Sequence, residues 1–274
     1  MTSAGTADGG SGAVPCRSPA QGLLRVHGDT RPGDTGLVVT DVRAVLADVG
    51  RLSPFFLVGT DPAAAAEPGW RPLRDLYTDP RPLRDRIAHV RRALDSDDRV
   101  AASITFQGLA ALVLSPSLAA VAVHGVLPHL GPDVLHWRPA EAGPWALWCP
   151  DPSGEVVADG ADALAGALFD GHLGPLIAAV RAQVPISERL LWGSVASSVA
   201  AGKRLIGVER PEIADRAARI AERLLDTGPL AGTGERRAPT GPDHGWSFRR
   251  RSCCLFYRVR DGGLCGDCVL NRDR

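Results

Sequence analysis

Four of the six cysteines fall in the last twenty-nine residues, as Cys253-Cys254, ten intervening residues, Cys265, two more, and Cys268. Thiolates are soft donors. At short spacing, in a chain that shows no secretory leader, they point to metal or redox chemistry before structural disulfides, which the reducing cytosol does not maintain. Four sulfurs complete the coordination of one zinc, of both irons in a two-iron cluster, or of a four-iron cluster. The count alone does not choose.

Spacing narrows the choice. Cys265-Gly266-Asp267-Cys268 reads as a tight turn whose glycine lets backbone N–H groups approach sulfur, and it suits zinc or iron equally. The adjacent pair discriminates. Successive side chains in extended backbone point to opposite sides, so Cys253 and Cys254 reach one ion only through a bend. A binuclear core relaxes that demand, whereas the usual zinc pattern has two C-x₂₋₄-C knuckles, one of which is missing here. The spacing therefore favours iron–sulfur over zinc. A thioredoxin-like C-x-x-C should open a helix in a βαβ unit, and no helical pattern follows Cys268. A Cys253–Cys254 disulfide would close a strained ring, and a structural zinc clip on a short tail stays as the competing reading. Neither ferredoxin spacing is present, and no histidine pair stands where a Rieske centre needs one.

Arg249-Arg250-Arg251 immediately precedes the pair. A thiolate-ligated cluster is anionic and gains a further negative charge on reduction, so nearby guanidinium groups would raise its potential; about 59 mV is a tenfold change for a one-electron couple. The plainer reading is a solvated basic turn. Trp246, Phe248, Phe256 and Tyr257 either shield the sulfurs or pack the small C-terminal segment on the rest.

The elements that must position these residues are mostly helical. Val42, Val45, Leu46 and Val49 recur at amphipathic spacing, with Thr40 as the expected cap. Residues 53–70 are broken by Pro54, Pro62 and Pro68 and read as loop, with a short strand at 55–58. Helical spacing returns at 83–94, and 100–114 is apolar on most sides, as in an element crossing the core. Residues 134–137 and 145–149 are short aromatic runs that predict a β-hairpin with a long connection, and a turn at 151–154 leads into 155–157. Helices are predicted over 161–169, 173–183, 187–201 and 211–226. Thr227 to Gly245 carries no apolar period and reads as a linker. The chain thus divides into a tail (1–20), a larger α+β domain (21–226), a linker (227–245) and a small C-terminal unit (246–274). The predicted fold class is α+β and helix-dominated.

Composition sets outer bounds. With 45% apolar and 23% charged residues the 274-residue chain has the profile of a globular protein. Lys+Arg 31 against Asp+Glu 31 leaves no net charge, so the basic field that sequence-independent nucleic-acid binding needs is missing. Lys203 is the single lysine. The N-terminus has neither a basic start nor an apolar stretch and is not a signal peptide; Cys16 reads as an incidental thiol. The apolar run 109–127 is interrupted by Ser115-Pro116-Ser117 and His124 and predicts two buried helices, or a helix and a strand, rather than a membrane span. A cytoplasmic monomer without a transmembrane segment is expected.

Cys-Cys-x₁₀-Cys-x₂-Cys, with Cys265-Gly266-Asp267-Cys268, resembles the C-terminus of the FhuF-like ferric-siderophore reductases. Upstream, residues 102–110 (Ala-Ser-Ile-Thr-Phe-Gln-Gly-Leu-Ala) and 190–197 (Leu-Leu-Trp-Gly-Ser-Val-Ala-Ser) are similar to two recurring core segments of that family, with Ser194 where the family carries asparagine. The resemblance implies a [2Fe–2S] cluster bound by Cys253, Cys254, Cys265 and Cys268, and one-electron reduction of Fe³⁺ held by an imported siderophore, fed by a separate electron donor. A binding module for a siderophore or a protein, with a structural zinc at its tail, is the alternative. A relationship to carboxylate-activating siderophore synthetases is disfavoured, since no phosphate-binding loop with lysine occurs. Trp137, Trp145, Trp148 and Trp192 are candidate walls of a substrate surface, or core. His124, His129 and His136 fall on no metal-ligand motif, and Cys149 reads as a buried apolar residue.

Overall fold

The structure is a computed structural model that describes residues 41–140, 143–158 and 160–271. The expected tail and Cys16 lie outside the described residues. The fold is α+β and helix-dominated. Its helices are α1 (Val42–Val49), α2 (Asp75–Thr78), α3 (Pro80–Ala93), α4 (Asp98–His124), α5 (Gly160–Leu168), α6 (Gly174–Gln183), α7 (Glu188–Glu209) and α8 (Ala214–Leu225). A π-helical turn, Phe169–Leu173, joins α5 to α6.

Short strands fill the gaps: β1 (Arg71–Pro72), β2 (Val126–Pro128), β3 (His136–Arg138), β4 (Ala146–Trp148), β5 (Gly154–Val156), β6 (Gly234–Arg237) and β7 (Ser247–Arg250). The predicted hairpin forms as β3–β4, antiparallel with His136 opposite Trp148, and β1 extends it on the β3 side. β2 pairs with β5. The helix at 42–49 also forms, but its cap is Asp41 rather than Thr40. The Asp41 carboxylate accepts from the main-chain N–H of Arg43 and Ala44 and satisfies two donors that would otherwise be unpaired at the helix start.

The core is organised by α4 packed along α7. α4 runs unbroken through Ser115-Pro116-Ser117, where the sequence suggests two elements. Proline removes one helical N–H, and burial on all sides makes a break there more costly than the lost bond. The Ser115 hydroxyl meanwhile donates to the Ala111 carbonyl at 2.6 Å. The helix ends at Gly125, whose φ of 68° is the left-handed conformation of a C-terminal cap. By length and composition α4 could cross a bilayer, as could 160–183; 78% of the apolar window of α4 is buried inside the fold, against 50% for the second. Small residues let α4 and α7 approach: a Cβ at Gly202 would stand 2.8 Å from Leu118 Cδ2.

The segment read as a linker is partly ordered structure. It carries a 3₁₀ turn (Gly228–Leu230) and β6, which pairs antiparallel with β7. Strand pairing gives the backbone polar groups of β6 partners without requiring an apolar period. Lys203 pins the next stretch to α7. Its buried ammonium donates to the His244 carbonyl at 2.9 Å, pairs with Asp243 at 3.2 Å and lies 4.3 Å from the Trp246 ring centroid. Burial pulls the Lys203 pKa down against the opposing pull of Asp243. Trp246 and Phe248 belong to the same apolar core as α4 and α7, so the C-terminal segment starts from a fixed anchor.

Candidate metal centre

The chain enters the cysteine region along β7. The Arg250 main-chain N–H donates to the Asp267 carbonyl at 3.0 Å, and that of Arg251 to the Thr233 carbonyl at 2.8 Å. The first bond ties the residues before the cysteine pair to the Cys265–Cys268 turn. Gly193 of α7 permits the approach, since a Cβ there would fall 2.2 Å from Ser252 Oγ. Ser103 of α4 donates its buried hydroxyl to the Cys254 carbonyl at 2.7 Å.

The bend that two adjacent cysteines need is made at Leu255, at φ 66° and ψ 2°. This left-handed conformation is unfavourable for a residue with a Cβ. It turns the Leu255 N–H back onto Cys253 Sγ at 3.3 Å and opens a 3₁₀ turn, Phe256–Arg258. At the second pair, Cys268 N–H donates to the Cys265 carbonyl at 3.1 Å, and the Leu270 N–H reaches Cys268 Sγ at 3.4 Å. Backbone N–H groups thus address sulfur on both arms, the arrangement that tunes thiolate-bound clusters.

Between the arms, Cys254 Sγ and Cys265 Sγ are 3.5 Å apart. The hydrogen bond shared by the two sulfurs draws the Cys254 pKa down, with burial opposing and the Phe256 N–H and Arg250 assisting. The same bond, reinforced by burial, pushes the Cys265 thiol up. Burial also raises Cys253 and Asp267. Arg250 is 1% exposed, and its Nε and Nη1 have no partner. Among the described residues, no three His, Cys, Asp or Glu side chains are already gathered about one point.

An all-sulfur donor set, N–H groups aimed at sulfur and a buried unpaired cation beside it fit an anionic thiolate-bound cluster. Two profiles of known families match the chain. One, described as Ferric iron reductase FhuF-like transporter, covers residues 106–242, and the other, described as FhuF 2Fe-2S C-terminal domain, covers 250–270. The chain belongs to the FhuF-like ferric iron reductase family. Its cofactor is a [2Fe–2S] cluster. No curated protein matches the chain. The FhuF-like C-terminal domain spans all four clustered cysteines, and the two upstream segments similar to the family supply Ser103 and Ser194, both of which touch the cysteine loop or the strand that leads into it.

A cavity of about 510 Å³ opens beside the thiols, between α4 and α7, with Cys254, Cys265, Gly108, Gln107, Phe55 and Leu205 in its wall. None of Trp137, Trp145, Trp148 or Trp192 lines it. Trp137 stacks on Trp145 with ring centroids 4.5 Å apart, beside a different groove; Trp148 packs on Trp70, and Trp192 on Phe169. His124 contacts Asp48, His129 lies near Glu155, and His136 Nδ1 approaches the Val134 carbonyl, so these three are accounted for by local contacts. Cys149 is fully buried and its thiol is pushed up by burial, as befits an apolar residue. Sequence reasoning gave Phe55, Gln107 and Leu205 no site role; Gln107 lies within the 102–110 segment, and Phe55 and Leu205 belong to no motif.

Proposed function

We propose that the chain is a ferric-siderophore reductase whose cluster is held by Cys253, Cys254, Cys265 and Cys268, and that it acts on chelates in the cytoplasm. In this reading residues 21–226 face the siderophore and 246–274 carry the cofactor. The observation that carries it is the shared wall: two of the four thiols, Cys254 and Cys265, border the cavity between α4 and α7.

When bound, the cluster supplies single electrons, replenished by a separate donor. The chain's own residues do the rest. Phe55 and Leu205 exclude water from the cavity, and Gln107 offers an amide to a chelate. Glycine within a helix costs about 1 kcal/mol relative to alanine, and a Cβ at Gly108 would meet nothing within 4 Å. None of the described residues fills that room, which supports its use by a ligand. Hydroxamate and catecholate oxygens are hard donors that hold Fe³⁺ more tightly than Fe²⁺, so reduction of the substrate iron is also its release.

The test uses anaerobic, dithionite-reduced protein mixed with ferric siderophores, with Fe²⁺ trapped by a ferrous-specific dye. Ferrous iron should appear in proportion to reduced protein. Cys265→Ser should abolish it, and Gly108→Trp should raise KM without altering the visible spectrum. Full activity in Cys265→Ser, or a colourless zinc-loaded wild type, would overturn the reading in favour of a binding module.

A further inference from the structure

Three arginines precede the cysteine pair, and β7 sorts them. Arg249 is partly exposed and donates to the Val269 carbonyl at 2.9 Å, while Arg251 is exposed. Arg250 points inward. Its Nη2 donates to Ser194 Oγ at 3.0 Å and to the Leu190 carbonyl at 3.2 Å. Its Nε and Nη1 are buried without a partner, and no carboxylate among the described residues pairs with it. Asp267, the acid on the neighbouring turn, is paired instead with Arg204 at 3.7 Å.

A guanidinium does not deprotonate inside a protein. A buried cation without an ion-paired carboxylate is strongly unfavourable, and an anion bound next to it would compensate it. The backbone sets Arg250 against the cysteine loop: its main-chain N–H donates to the Asp267 carbonyl at 3.0 Å, one residue before Cys268, and Cys253 follows Arg250 by three residues. Two ferric irons, two sulfides and four thiolates together carry net negative charge, and one-electron reduction adds one more.

Resting on the ligand set proposed above, we propose that Arg250 is the built-in counter-cation of the cluster, aimed by Ser194 and Leu190, and that it raises the reduction potential. It is a positioning and electrostatic residue rather than a catalytic one. A fixed positive charge favours the more negative, reduced state, so losing it must lower the potential. Ser194 acts by orienting the guanidinium through its hydroxyl.

The experiment is a dye-equilibrated anaerobic redox titration of the cluster-loaded full chain, without substrate. Arg250→Met keeps most of the side-chain volume and removes the charge. At a fixed poise it should lower the reduced-to-oxidised ratio at least tenfold, about 59 mV for a one-electron couple. Arg251→Met should change the ratio less than twofold. Ser194→Asp, which places a carboxylate against the guanidinium while leaving Arg250 packed, should lower the ratio at least threefold, and Arg250→Lys should stay within threefold of wild type. An Arg250→Met midpoint equal to wild type, or an equal fall in Arg251→Met, overturns the inference. Should Arg250→Met fail to retain iron, an unchanged potential in Ser194→Asp overturns it and a lowered one supports it. A wild type with no reducible centre overturns the ligand assignment as well; a wild-type centre whose potential is unmoved in these variants overturns the role of Arg250 alone.

Discussion

Ser103 Oγ, buried in α4, donates to the carbonyl oxygen of Cys254 at 2.7 Å, so the longest core helix holds the backbone of a cysteine of the candidate metal centre directly. The bond crosses 151 positions of sequence. A loop held in this way does not depend on its own local propensity for its shape.

Ser103→Ala would leave the Cys254 carbonyl without this partner in a buried place. The expected cost is about 1–3 kcal/mol of stability, read as a lowered Tm. Iron should also leave the variant faster under a chelator than it leaves the wild type. A variant with the Tm and iron retention of the parent would show that the bond does not support the site.

Leu255 tests the bend. Proline there fixes φ near −65° and removes the N–H that reaches Cys253 Sγ. Leu255→Pro should lose its iron while keeping its helical circular dichroism. Leu255→Asn tolerates the left-handed conformation and keeps the N–H, so it should retain iron. Equal iron content in the two variants would contradict the assigned role.

The cysteine spacing, the helices and the β3–β4 hairpin were legible because each rests on a local pattern: donor chemistry, apolar period or aromatic alternation. What escaped is non-local. Pro116 signals an interruption that burial overrides. β6 has no apolar alternation, and its pairing with β7 comes from across the chain. The sequence singles out tryptophans as substrate walls because of their size, yet the cavity at the thiols is walled by Phe55, Gln107 and Leu205, scattered over three segments. Ser103 and Ser194 lay within recognised segments, but only the folded arrangement shows what each contacts.

His172 supplies a pH dependence unrelated to the metal site. It is buried beside Tyr77, whose hydroxyl lies 2.9 Å from Nδ1, and burial pulls its pKa from 6.5 to about 4. The folded state therefore resists the proton that the unfolded chain accepts below pH 6.5. This contribution is fully present above that pH and is lost as pH falls toward 4, by about 3 kcal/mol. His172→Gln should be less stable than wild type at pH 7 and should lose less stability between pH 6.5 and 4. Parallel stability–pH curves for the two proteins would contradict the assignment.

The most direct test of the central claim is electron paramagnetic resonance of anaerobically prepared protein before and after dithionite, with iron and acid-labile sulfide counted on the same sample. The account predicts two irons and two sulfides per chain, no signal when oxidised, a one-electron signal when reduced, and loss of all three in Cys265→Ser. A wild type that binds zinc in the four-cysteine site and gives no signal after reduction would contradict it.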